Sequence, residues 1–358
     1  MPLDGTFYRR LAITAAALAS FRLGAHLPFP GLDTTYVAKV ITQGAHAPTS
    51  ILALGIGPFL SALLLIEGAK LLFPDLLRWE LADARHSIRL SRIAVGLALL
   101  LTLVQATGLV ISLEGVDGLV IEPGFAFRAA AIMTLVAGTA LVIVLVEIID
   151  RHGLGAGLWL LFLTPALVEL PYVIEESTFI HASGIYPTSA LVQAAAFSAV
   201  AIGAVAALIL ASRGIAATAT TCVWTPMIAK STVTSLLLGI AMLFTSDVNA
   251  AAGMASPSHP AWYAATAIGV AAIVWLYARA YASAGTPVPI PPIVVAAMLG
   301  GVLLAGAALE YGLRVELPLR GTQLIVAAAA GTVMLMRWRP GRRETTTPAE
   351  NAIPEVRP

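Results

Sequence analysis

The chain has 358 residues, of which 58% are hydrophobic and only 11% charged, with a formal net charge of +1. A soluble domain carries about 25% charged residues, so this sequence cannot cover a folded core with a polar surface and reads as a polytopic membrane protein. Near-neutral charge leaves no footprint for nucleic acid, and the single cysteine, Cys222, excludes an internal disulfide and a cysteine metal cluster.

A bilayer core is crossed by about 20 apolar residues. On that scale about ten spans are predicted, at 8–26, 51–72, 89–113, 126–149, 157–174, 188–211, 227–246, 261–281, 291–309 and 321–337. The first follows Tyr8-Arg9-Arg10 and lacks an A-x-A site, which predicts a retained helix and not a cleaved signal peptide. The segment 33–50 is long enough for a short helix or re-entrant element, with Tyr36, Val37, Val40 and Ile41 spaced for one apolar face. Span two opens on Gly55-Ile56-Gly57-Pro58. Gly and Pro weaken helices and leave backbone groups unpaired, and such breaks are tolerated at membrane depth where protein or a water-filled cavity satisfies them. This segment is therefore expected to line a cavity.

Charges between the spans set the orientation. Arg9, Arg10, Lys70, Arg78, Arg85, Arg89, Arg92, Arg337, Arg339, Arg342 and Arg343 gather on one side. Glu114, Asp117, Glu122, Glu169, Glu175, Glu176 and Asp247 fall in connections on the other. The positive-inside rule then puts both termini in the cytoplasm. Two connections on that side are short: Arg213 to about Pro226, and a Pro-rich string from Ala282 to about Pro292. The tail 341–358 is polar and Pro-rich and is expected to be disordered.

Several motifs together resemble the SecY family, the channel-forming subunit of the bacterial protein translocase. Arg22-Leu23-Gly24-Ala25-His26-Leu27-Pro28-Phe29-Pro30-Gly31-Leu32-Asp33 is similar to the family's R-I-G-x-x-I-P-x-P-G-I-D. Ala53-Leu54-Gly55-Ile56-Gly57-Pro58-Phe59-Leu60-Ser61-Ala62 is similar to its A-L-G-I-x-P-Y-I-x-A. Ser91-Arg92 and Gln105 to Gly108 resemble T-R and Q-x-x-G in span three. Gly138-Thr139 with the run from Glu147 to Gly157 resembles G-T…G-E-x-I-T-E-R-G-I-G-N-G, and Gly321-Thr322-Gln323-Leu324-Ile325 resembles G-G-T-S-L-L-I. The likeness is strong in the first half and weak in spans six to nine.

The resemblance implies an all-α membrane protein of two inverted five-helix halves, residues 1–187 and 188–340, around a pore, with 33–50 as a plug. It implies a multi-pass protein of the bacterial cytoplasmic membrane, unfolded polypeptide as substrate, a SecE-like partner and perhaps a SecG-like one. The pore ring carried over by position is Ile56, Leu60, Leu158, Phe162 and Val326. Such a ring dewets when empty and deforms around a passing chain. Ile56 with Leu60, and Leu158 with Phe162, are i, i+4 pairs on one helix face. The ordinary alternative is packing against helices or lipid. Ser61, Ser231, Thr232 and Ser235, with Thr234, supply small polar groups where spans two and seven form the family's lateral gate; the alternative is general helix–helix contact.

The chain departs from the pattern at the two short connections, which in the family are docking surfaces for the ribosome and the motor ATPase SecA. Weak or no docking of either is expected. Ala156 stands for the Asn of the family's G-N-G, and Trp224 for an Asn of span seven. Lys230, near the predicted start of span seven, is either a functional intramembrane charge or a lysine that snorkels to the interface. Gly153-Leu154-Gly155-Ala156-Gly157 lacks the Lys-Ser/Thr of a phosphate loop, and the six histidines show no metal-ligand spacing. No cofactor, metal or catalytic residue is expected. Two alternatives stay open: a SecY-like membrane scaffold or accessory subunit without general translocation, and a small-solute transporter with coincidental motifs.

Overall fold

A computed structural model describes residues 5–33, 35–37, 49–183, 187–212, 215–245 and 247–337. The predicted tail and most of the plug-like segment lie outside the described residues. Twelve helices follow one another among those described. They are α1 (Gly5–Gly24), α2 (Gly57–Leu72), α3 (Pro74–Ala82), α4 (Ala84–Glu114), α5 (Phe125–His152) and α6 (Gly157–Ala182). Then come α7 (Thr188–Ala211), α8 (Ile215–Phe244), α9 (Val248–Met254), α10 (Pro260–Ser283), α11 (Pro292–Ala307), which ends in a π turn at Ala308–Gly312, and α12 (Gly321–Arg337).

Seven of these helices, α4 to α8, α10 and α11 with its π turn, are long and apolar enough to cross a membrane. Each of the three remaining predicted spans also holds a helix, of 20 residues in α1, 16 in α2 and 17 in α12. The chain is an all-helical polytopic membrane protein.

Three boundaries differ from the sequence reading. Span two is not helical from residue 51: residues 51–56 form successive turns, with Gly55 at φ +51°, and the helix begins at Gly57. The left-handed glycine and the Pro58 ring that follows allow helix only beyond that point. α6 runs on through Pro165 and Pro171 to Ala182, so Glu169, Glu175 and Glu176 lie within a helix and not in an outer connection. α8 begins at Ile215, twelve residues before the predicted start of span seven, and passes through Pro226. Alternating Ala and Thr there read as a connection by composition, yet residues 217–227 are buried, and burial overrides the modest helix propensity of Thr.

The described residues fall into two compact units, 5–66 with Arg85–Phe162 and Glu67–Ala84 with 163–337. In the first, α1 packs on α5. Its core joins Phe29, Leu32 and Val37 to Val110 and Leu113 of α4, to Leu119, and to Phe127 and Leu135 of α5. In the second, α8 packs on α10, α10 on α11 and α3, and α12 on α7 and α8.

Candidate functional site

The Pro28–Asp33 motif is a built corner of the first unit. Phe29 N donates to Thr49 O at 3.1 Å and Ile51 N to Leu27 O at 2.8 Å, laying the segment against the approach to α2. Asp33 N donates to Leu119 O at 2.9 Å and Ile121 N to Gly31 O at 3.1 Å, joining it to the α4–α5 connection. Gly31 has φ +92°, and a Cβ there would stand 2.7 Å from the Phe127 ring, so only glycine fits the corner. The Asp33 carboxylate accepts from the Thr35 hydroxyl and from the backbone N–H groups of Thr35 and Tyr36. These hydrogen bonds, the Thr35 hydroxyl first, hold its pKa below the ordinary aspartate value.

The run Glu147 to Gly157 is a second close-packed corner. A Cβ on Gly138 would stand 2.1 Å from Ile51 O, and one on Gly157 would stand 2.5 Å from Val146 O. A Cβ on Gly153 would meet the Thr14 hydroxyl at 2.5 Å. That hydroxyl donates to Arg10 O at 3.0 Å and accepts from Leu154 N at 3.0 Å, tying α1 to the turn. Asp150 accepts from Gly157 N at 2.6 Å and so satisfies an N–H at the start of α6. Gly155 and Ala156 both take positive φ, at +85° and +58°. The left-handed geometry falls on Ala156, where the resemblance expected Asn, a residue more tolerant of it. Glu147 pairs with Arg151 at 2.8 Å.

Four of the five candidate ring residues follow these two close-packed corners in the chain. Ile56 is the last residue of the turn before α2, and its carbonyl accepts from Leu60 N at 2.9 Å, so the two stay on one helix face. Ile56, Leu60 and Phe162 are half-buried and Leu158 is buried. These four belong to the first unit; Val326, on α12 in the second, is fully buried. Of the candidate gate residues, Ser61 is half-buried on α2, whereas Ser231, Thr232 and Ser235 are exposed on the second half of α8. Trp224 is buried in the first half of that helix.

A charged cluster in the second unit was not foreseen. Lys70 Nζ lies 2.6 Å from a Glu67 oxygen and 2.9 Å from Glu80 of α3, and the Tyr277 hydroxyl of α10 donates to Glu67 at 3.2 Å. Glu67 is 3% and Lys70 4% exposed, so Lys70 is no aqueous charge of the second connection, as its place in the sequence suggested. Beside it, Arg78 of α3 donates to Ser283 O at the end of α10. The i, i+3 placing of Glu67 and Lys70 inside an apolar span was the available signal. The described residues hold no group of His, Cys, Asp and Glu side chains able to bind a metal.

A SecY family model matches residues 50–284, well over half of the chain. The chain belongs to the SecY family. It is 32% identical over 190 residues to the protein translocase subunit SecY of Escherichia coli K12, an alignment covering 48% of this chain and 43% of that one. The chain spans about half the length of the curated relatives it matches. The fold is similar over 94% of this chain to a SecY protein whose plug domain is described as stabilising the closed state of the translocation channel and maintaining a membrane seal (TM-score 0.59, 13% identity, 93% of that chain). It is similar over the same share to Sec61 of a canine ribosome–channel complex from the endoplasmic reticulum (TM-score 0.58, 11% identity, 93% of that chain). A SecY/Sec61 channel fold and a membrane location follow.

Proposed function

We propose that this chain is the protein-conducting subunit of a Sec-type translocase, passing unfolded polypeptide across the membrane or apolar segments into it. The observation that carries the reading is the family match, which extends from the turn before α2 to the end of α10. The two glycine corners support it, because they set Ile56, Leu60, Leu158 and Phe162 at the beginnings of α2 and α6, where a compliant apolar constriction can form. The channel is passive and not an enzyme, so the driving energy comes from a partner. A SecE-like subunit, with or without a SecG-like one, completes the assembly, with both termini in the cytoplasm of a bacterial cell. Replacing the four ring residues together (Ile56→Gly, Leu60→Ser, Leu158→Gly, Phe162→Ser) should raise resting ion conductance in planar bilayers. Unchanged conductance in a folded variant removes the ring from these positions. In a Cys222→Ala background, cysteines near Ser61 and Ser235 should crosslink; failure at every pair along α2 and α8 removes the gate.

A second reading, of a SecY-like scaffold or accessory subunit, is favoured by one observation. α7 and α8 are separated by three residues, 212–214, and α10 and α11 by eight, 284–291. A stable docking partner needs about 800 Å² per side, and connections this short supply little of it. Submicromolar binding of ribosomes or a secretion ATPase to the protein in nanodiscs would return it to general translocation.

A further inference from the structure

Lys230 is residue 16 of the 30-residue α8, and not near the start of its span. Its depth can be read from the neighbouring helix. Thr218 and Thr221 of α8 line one cavity with Ala278 and Tyr281 of α10, and the position a Gly269 Cβ would take lies 2.8 Å from a Val233 methyl. The two helices therefore run antiparallel, and Lys230 stands level with residues near 272, midway along Pro260–Ser283. That is about 17 Å from either end of α10, close to the midplane of a hydrocarbon core about 30 Å thick. The snorkelling alternative requires an interface within reach of the side chain, and at this depth there is none.

The side chain is exposed and makes no hydrogen bond or ion pair among the described residues. Up to Lys230 α8 is enclosed: residues 217–227 are all buried. From Lys230 onward it is largely open, and Lys230, Ser231, Thr234 and Ser235 form two adjacent i, i+4 rows, a polar stripe on that open face. Glu169, an exposed carboxylate inside α6, forms no ion pair with it in this structure. A bare ammonium facing lipid at mid-depth is strongly disfavoured, and intramembrane charges pair with one another or face water. Small hydroxyl residues beside it let another helix approach closely and hydrogen-bond. Charge and shape thus both fit one occupant: an apolar helix carrying a carboxylate at its centre.

We propose that Lys230 makes the open face of α8 selective for apolar substrate segments that bear an Asp or Glu near mid-length, neutralising that group as the segment passes into lipid. This rests on the channel reading and names a substrate class for it. The test uses the full chain in nanodiscs, co-reconstituted with synthetic Leu/Ala transmembrane peptides bearing a photoreactive group and a central Asp, Leu or Lys. Crosslinks mapping to 227–238 should favour the Asp peptide over the other two by about tenfold, as expected for the high cost of an unpaired intramembrane charge. Lys230→Leu should abolish the preference and Lys230→Glu should turn it toward the Lys peptide, while Glu169→Gln leaves it intact. Equal labelling by all three peptides, or loss of the preference in Glu169→Gln, overturns the selectivity and leaves the channel reading standing. No labelling of α8 by any peptide overturns both.

Discussion

Two crowded places in this molecule hold together by opposite means. The corner formed by Gly138, Gly153 and Gly157 with Ile51 and Thr14 is made by leaving side chains out, so that backbones touch. The end of α2 is made by putting charges in, with Lys70 between Glu67 and Glu80 and Tyr277 hydrogen-bonded to the first. A close backbone contact tolerates no added atom at a glycine. A buried ionic knot tolerates exchange for apolar groups of similar volume, provided all its members change together. The first should therefore fail by addition and the second by imbalance.

The largest effect is expected at the knot. Lys70→Met leaves two carboxylates buried together, and breaking a buried pair costs about 3–5 kcal/mol. Unfolding of the purified protein in detergent should show that loss. The combined variant Glu67→Met, Lys70→Met, Glu80→Met, Tyr277→Phe should recover most of it; a combined variant as unstable as the single one would show that the charges themselves are required.

Gly138→Ala comes next. Its methyl would collide with Ile51 O, and because the obstacle is backbone the cost falls in the range of about 1–3 kcal/mol for overpacking. Ile51 begins the turn that ends at Ile56, so this variant should also raise resting conductance. A stable, tightly sealed Gly138→Ala protein would uncouple the corner from the constriction.

Thr14→Val is smaller. It keeps the shape but strands the half-buried Leu154 N, at about 1 kcal/mol. Thr14→Ser should retain the bond and lie close to the parent. Arg128→Ala is expected to be the mildest. The Arg128–Glu114 pair, 2.6 Å long, is half open to solvent on the arginine side, and Gly124 N still donates to Glu114. Its shift in melting temperature should be smaller than that of Thr14→Val.

The glycine motifs were legible because each is a short run of restrictive residue types, although the partners they meet, Ile51 at Gly138 and Thr14 at Gly153, are distant in sequence. Gly-Ile-Gly-Pro after an apolar stretch and G-L-G-A-G at a span end each announce a backbone that side chains cannot enter. Positions of most apolar spans were legible for the same reason, since about 20 apolar residues mean one crossing. The knot was not, because Glu67 and Tyr277 are 210 residues apart and only the fold of α3 back onto α10 brings them together. The start of α8 was misread because Ala and Thr in Ile215–Pro226 look like a connection by composition, and it is burial against neighbouring helices that makes them helix. That error also misplaced Lys230, whose depth is visible only once Val233 is seen against Gly269.

The brevity of 212–214 carries a mechanical corollary. Four Cα–Cα steps of 3.8 Å join Ala211, the end of α7, to Ile215, so the two helix ends can never be more than about 15 Å apart. α8 is thus leashed to α7 at its first turn. Its first turn cannot slide along the membrane or sink through it without hauling α7 behind it. A leash of the same length holds the other end, where only residues 245–247 join Phe244 to α9, and between the two Pro226 removes one rung of the helix ladder. Any bend in α8 therefore falls between two held ends, at the missing rung, with Lys230, Ser231 and Ser235 on its far side.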